Sequence, residues 1–225
     1  MMPISRPTPP SLARRFLARR SLMLGSAALV LGAGTLAGCS ALPLNRPPPQ
    51  LYTLSPKSVF PTDLPSIDRQ LGVDRPSSPA GLATTRIAVA RGPYTIDYYA
   101  GVQWIDDAPN MVQRLLIESF ENSKRIVGVG PESVALRSDF VLRIELREFQ
   151  AQYTEGVDAP TINVRINAKL VRMPQRHIIA SATMERLMPS RDNRMGSIVE
   201  TFDEALGKVL RDIVVWTLTN PVLQG

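Results

Sequence analysis

The sequence predicts an α+β domain, an antiparallel or mixed β-sheet with two amphipathic helices packed on one face as a two-layer sandwich. Two observations carry that prediction. Three successive segments alternate apolar and polar residues with a period of two, and two others repeat apolar residues at helical spacing. Phe140, Leu142, Ile144 and Leu146 alternate with Val141, Arg143, Glu145 and Arg147. Ile162, Val164, Ile166, Ala168 and Leu170 alternate with Asn163, Arg165, Asn167 and Lys169. Ile178, Ala180, Ala182 and Met184 alternate with Ile179, Ser181, Thr183 and Glu185. Period two turns one apolar face inward and one polar face outward. Such strands belong to an antiparallel sheet covered on one side only. The cover is available in Met111, Val112, Leu115, Leu116 and Phe120, and in the longer stripe of Ile198, Phe202, Ala205, Leu206, Val209, Leu210, Ile213 and Val214.

From the amino end, residues 1–38 read as a lipoprotein signal peptide. Arg14 to Arg20 form a basic zone, Leu22 to Leu36 are 15 residues without a charge, and Ala37-Gly38 close the segment with small side chains before Cys39. A 15-residue helix rises about 22 Å, short of the roughly 30 Å hydrocarbon core, which argues against an uncleaved spanning anchor. Leu36-Ala37-Gly38-Cys39 resembles the lipobox of bacterial lipoproteins, in which the cysteine thiol receives a diacylglyceryl group and becomes the first residue of the mature chain. Cys39 is the one cysteine of the sequence, so no internal disulfide can form. Arg19-Arg20 fit a twin-arginine export signal and a generic basic zone equally well.

Residues 39–83 are expected to form a tether behind the lipidated Cys39. Nine prolines lie between Ser40 and Ala83, including Pro47-Pro48-Pro49, and proline-rich chain favours extended, solvated backbone. One island, residues 50–54, alternates like a short edge strand. At about 3.1 Å per residue such a tether would reach roughly 130 Å.

The folded body is expected over residues 84–220, with a tail at 221–225. Arg86 to Ala90 read as a buried strand that ends at Gly92-Pro93. Tyr94 to Ile105 continue as extended chain, with a hairpin break expected at Ala100-Gly101. Asp107 is placed to cap the first helix, with Pro109 in its first turn. Ile126 to Val129 form a short strand turned by Gly130-Pro131, before the three alternating strands and the last helix.

Composition excludes several functions. The formal charge is +6, from 26 Lys+Arg against 20 Asp+Glu. Residues 1–38 hold five arginines and no acid, which leaves the mature chain at +1. A phosphate backbone needs clustered basic residues, so no nucleic-acid partner is expected. His177 is the only histidine, beside Arg176 at a strand start, and offers no triad. The carboxylates lack calcium-loop spacing, no phosphate-binding loop is present, and Gly128-Val129-Gly130 reads as a turn. Asp106-Asp107 are explained by helix capping. The sequence therefore predicts no enzyme, no metal and no cofactor. What remains is a surface: Tyr94, Tyr98, Tyr99 and Trp104 crowd into 11 residues. They are the candidate lipid or partner surface, with core packing as the competing reading.

The order of these features resembles the ABC-type transport auxiliary lipoproteins, the family of paraquat-inducible protein C. Tyr52-Thr53-Leu54 follows the lipobox, Ile87-Ala88-Val89 runs into Pro93-Tyr94, and Trp104 precedes the helix of Leu115 and Leu116. The chain departs from the family pattern at Gln103 and at Ile105-Asp106-Asp107-Ala108-Pro109. The resemblance implies a non-catalytic accessory protein of an ABC-type system linked to mammalian-cell-entry (MCE) domains, which moves phospholipid or other hydrophobic molecules between two membranes. Its implied partners are an MCE-domain protein, an ABC permease complex and the membrane, with phospholipid and a homo-oligomer left open. Ser40 rather than Asp after the cysteine favours the outer membrane by the enterobacterial sorting rule, with the domain facing the periplasm. An outer-membrane lipoprotein that activates a cell-wall synthase is the alternative. A lipid-anchored hydrolase is disfavoured by the missing nucleophile and base.

Overall fold

The computed structural model describes residues 47–134 and 137–224. Cys39, the signal peptide and the first residues of the expected tether lie outside the described residues. The chain runs β1 (Gln50–Tyr52), β2 (Ile67–Val73), β3 (Arg86–Gly92), β4 (Thr95–Trp104), α1 (Ala108–Ser123), β5 (Ile126–Pro131), β6 (Phe140–Gln152), β7 (Thr161–Arg172), β8 (His177–Pro189), α2 (Met195–Leu218) and the short α3 (Pro221–Gln224). The eight strands make one mixed sheet, and the architecture is α+β.

Strand β6 is the spine. One of its edges pairs antiparallel with β7 from Phe140↔Arg172 to Gln152↔Thr161, and β7 pairs antiparallel with β8. The opposite edge forks. Leu71 to Val73 of β2 lie parallel to Phe140–Leu142, Ser77 bridges Glu145, and Ala88 to Ala90 of β3 lie parallel to Gln150–Gln152. Strand β5 joins outside β2, while β4 and then β1 join outside β3.

Alternation gives each long strand one apolar face, and the two long helices cover it. Ile162, Val164, Ile166, Ala168 and Leu170 of β7 are buried there against the stripe from Ile198 to Val214 of α2. Helix α1 adds Met111, Val112, Leu115, Leu116 and Phe120 to the same core. Its start is fixed by Asp107, whose Oδ1 accepts from the Asn110 amide at 2.9 Å, with Pro109 in the first turn. Its end is Lys124, in the left-handed conformation at φ 54°.

Gly128-Val129-Gly130 and Pro131 lie within β5 rather than in a turn, and residues 221–224 form α3 with Leu223 buried rather than a tail. Two larger expectations also need correction. The segment 55–83 is not a free tether. Ile67, Leu71 and Val73 of β2 are buried, as are Leu54, Leu64 and Leu82 on either side. Each such side chain contributes about 1.5–3 kcal/mol when removed from water, enough together to hold the segment on the domain. Its prolines, Pro56, Pro61, Pro65, Pro76 and Pro79, stand between strands, where no ladder hydrogen bond is lost. The stretch from residue 39 to the first strand is thereby cut to 11 residues, at most about 40 Å.

The hairpin also turns elsewhere than expected. β3 and β4 pair antiparallel up to Gly92↔Thr95, so the turn is Pro93-Tyr94. Ala100-Gly101 instead form a bulge inside β4. The register jumps from Ala88↔Tyr98 to Arg86↔Gln103, and Gly101 takes φ +71°, which glycine adopts without strain.

Candidate interaction surface at the hairpin end

Strand alternation separates the four aromatics that sequence proximity grouped. Trp104 is a core residue, 1% exposed. Its ring centroid lies 5.7 Å from that of Phe149 on β6 and 5.3 Å from that of Phe202 on α2, the latter edge-on. It therefore leaves the candidate surface, because the bulge at Gly101 resets the face of the residues after it. Tyr98 points to the side away from the helices. Its hydroxyl donates to the Gly81 carbonyl at 3.0 Å, and the Arg86 guanidinium stacks 3.6 Å from its ring centre. Tyr99 is half-buried, and its hydroxyl lies 3.1 Å from that of Tyr153. The Tyr153 hydroxyl donates in turn to Oδ1 of Asn193. Burial, and then the bond to Tyr153, hold the Tyr99 phenol well above its ordinary pKa. Of the four, only Tyr94 is free, 97% exposed at the hairpin turn.

The hairpin forms one wall of an open cleft of about 760 Å³. Residues 90–96 face Glu148, Gln150, Gln152 and Tyr153 across it. Arg91 spans the two sides, with its guanidinium 4.8 Å from the centre of the Tyr153 ring. A lining of carboxylate and amide groups is a poor lodging for an acyl chain, since each would be desolvated without a partner. Arg91, Tyr153 and the three β6 side chains were invisible to sequence reasoning. They meet the hairpin only because β3 and β6 pair in parallel across more than 50 residues.

The sheet face away from the helices is an ionic ladder. Glu148 accepts from Arg165, which also approaches Glu185 at 3.9 Å. Arg147 donates to Glu145 at 2.8 Å and holds its carboxyl below the usual carboxylate range. The Asn167 amide donates to Thr183 Oγ1 at 2.9 Å and to the Ala182 carbonyl at 3.1 Å. Glu148, Arg165 and Glu185 pair as opposed charges across β6, β7 and β8, while Arg147 and Glu145 pair along β6.

The residues weighed for chemistry sit apart. His177 is exposed at the start of β8. Asp107 caps α1 and binds Arg75, while Asp106 accepts from the Asp107 amide at 2.7 Å. Among the described residues, no three His, Cys, Asp or Glu side chains gather as a metal site would require.

Comparison with known proteins follows the fold. The crystal structure of XCC0632 from Xanthomonas campestris matches with a TM-score of 0.71 and 28% identity, over 75% of this chain and 94% of that one. A second crystal structure, of an uncharacterized protein, matches with a TM-score of 0.58 and 15% identity, over 74% and 97% of the two chains. The uncharacterized protein bll6063 of Bradyrhizobium diazoefficiens is 25% identical over 191 residues, 82% of this chain and 50% of that one. The chain thus spans about half the length of that curated relative. The model of the ABC-type transport auxiliary lipoprotein component matches residues 52–214, from the end of β1 through most of α2. With that span matched, the chain belongs to the ABC-type transport auxiliary lipoprotein component family.

Proposed function

We propose that the protein is the anchored docking component of an ABC-type, MCE-linked system that moves lipid or other hydrophobic molecules between the two membranes. Membership of the family supports a cell-envelope role as an auxiliary lipoprotein beside a transporter. In this reading residues 1–38 are removed, and Cys39 carries the acyl chains in the outer membrane. The domain faces the periplasm and holds the MCE-domain protein and its ABC permease.

The observation that favours docking over carriage is the filled core. Trp104, Phe149 and Phe202 interlock between sheet and helices, with centroid separations of 5.1–5.7 Å. The space in which a two-layer domain would lodge an acyl chain is taken by aromatic side chains. The hairpin cleft, lined by Glu148, Gln150 and Gln152, suits a polar partner better than a lipid tail.

The test is mild cross-linking in native cells, then purification of the tagged full-length protein and mass spectrometry of proteins and organic extract. Docking predicts permease and MCE-domain peptides, with no stoichiometric phospholipid. Recovery of neither transporter component, from a preparation shown to be lipidated and envelope-bound, would overturn the reading. One phospholipid per domain would convert it from docking to carriage.

A further inference from the structure

We infer that the β3–β4 hairpin end of the domain lies on the membrane that holds the Cys39 anchor, with Tyr94 seated among the headgroups. This rests on the lipid anchor of the preceding section and adds an orientation to it.

The register of the sheet defines that end. Gly92↔Thr95 closes the hairpin, Ala90↔Gln152 brings the end of β6 beside it, and Gln152↔Thr161↔Pro189 carries the level across β7 and β8. One end of the domain therefore gathers the turn Pro93-Tyr94, the loop 153–160 and the approach to α2. Its exposed apolar side chains include Tyr94, Ile96 and Val157, at 97, 45 and 54%, with Leu187 close by on β8.

The chain leads toward the same end. β1 lies parallel to β4, from Gln50↔Val102 to Tyr52↔Trp104. Traced backward from Tyr52, it runs in the direction from Trp104 toward Thr95. Before Gln50 stands Pro47-Pro48-Pro49, a run that is stiff and extended. Because β4 is bulged at Gly101, Val102 and Thr95 stand only five β3 residues apart, Ile87 to Gly92, about 17 Å of strand. Ten residues lie between Cys39 and Gln50, eleven Cα steps and at most about 40 Å. The Pro47-Pro48-Pro49 lead-in therefore enters the domain from the hairpin side of β4.

The ligand chemistry is a lipid interface rather than an anionic surface. Arg91, Arg191 and Arg194 at this end stand among Asp97, Glu155, Asp158 and Asp192, so charge alone does not draw it to phosphate. Tyrosine suits the headgroup level because its ring is apolar and its hydroxyl stays wet. Three such side chains bind weakly in free solution. Held within tens of ångströms of the bilayer by the acyl chains, they need only a weak preference to stay down. The start of β8, level with the Arg172↔His177 pair, then faces away from the membrane.

The single cysteine makes the test direct, because its thiol is consumed by the anchor. Full mature protein carrying Tyr94→Cys or Ile178→Cys, each with its acyl mass verified, is labelled with a small fluorophore and placed in phosphatidylcholine vesicles. Ile178 is half-exposed at the opposite end and serves as the control. The expected result is quenching by aqueous iodide roughly threefold weaker at 94 than at 178, with lipid-borne nitroxide quenching 94 alone. Equal iodide access at both positions in floating vesicles overturns the orientation while leaving the anchor intact. So does protection of 178 instead, or protection of 94 only after envelope proteins are added, which would make the hairpin a protein-docking site. Protein that fails to float with vesicles overturns the anchor itself.

Discussion

The guanidinium of Arg75 lies 2.9 and 3.0 Å from the two carboxylate oxygens of Asp107, the residue that caps α1. Its Nε also donates to Asn110 Oδ1 at 2.5 Å. A residue from the proline-rich approach thus clamps the start of a core helix. Asp107→Ala should cost about 1 kcal/mol, up to 2, through the lost cap. Arg75 is half-exposed, so solvent screening limits its share. A double-mutant cycle of Arg75→Ala and Asp107→Ala, read by urea denaturation, should give a coupling of about 0.2–1 kcal/mol. Zero coupling would mean the clamp is not formed in solution.

The approach is expected to be indispensable. A chain starting at Thr84 would leave the edge of Phe140–Leu142 without β2 and would detach β5, which reaches the sheet through β2. A chain starting at Pro47 should show cooperative thermal unfolding by circular dichroism. One starting at Thr84 should not. Cooperative folding of the shorter chain would return residues 55–83 to the status of a tether.

The aromatics of β4 should divide sharply under mutation. Trp104→Ala opens the cluster with Phe149 and Phe202 and should cost about 3–5 kcal/mol. Tyr94→Ala removes a side chain surrounded by water and should stay within about 0.5 kcal/mol. Chemical denaturation of the two variants beside the parent checks both values. A large loss at Tyr94 would mean that the turn is packed.

Alkali should weaken the fold through Tyr99. The folded state holds the Tyr99 phenol neutral, with its pKa raised above the ordinary value of 10.0 by burial and the Tyr153 bond. Unfolding then favours deprotonation, so the stability this group contributes is complete below about pH 10 and declines as pH rises above it. Melting temperatures measured from pH 8 to 11 should fall at the alkaline end, and Tyr99→Phe should flatten that fall. An identical decline in the variant would assign the effect to other groups.

How much of this was legible depended on whether the signal was local. β6, β7 and β8 announce themselves because they pair along the chain and carry strict alternation, and both long helices show continuous apolar stripes. β2 was missed because Ile67-Asp68-Arg69-Gln70-Leu71-Gly72-Val73 is polar at three central positions and framed by prolines. Its burial comes from parallel pairing with residues about 70 positions away. The hairpin turn was misplaced because Ala100-Gly101 carries a glycine signal that serves a bulge as readily as a turn. In the candidate surface, Tyr94 could be named from sequence. Arg91, Tyr153 and Gln150 could not, since only the β3–β6 pairing brings them together.

The intact mass of the protein recovered from its native envelope tests the anchored reading most directly. A chain beginning at residue 39, with a diacylglyceryl thioether on its sulfur, is the expected result. A chain that still carries Met1, or a free thiol at Cys39, would remove the membrane leash and with it the role built on that leash.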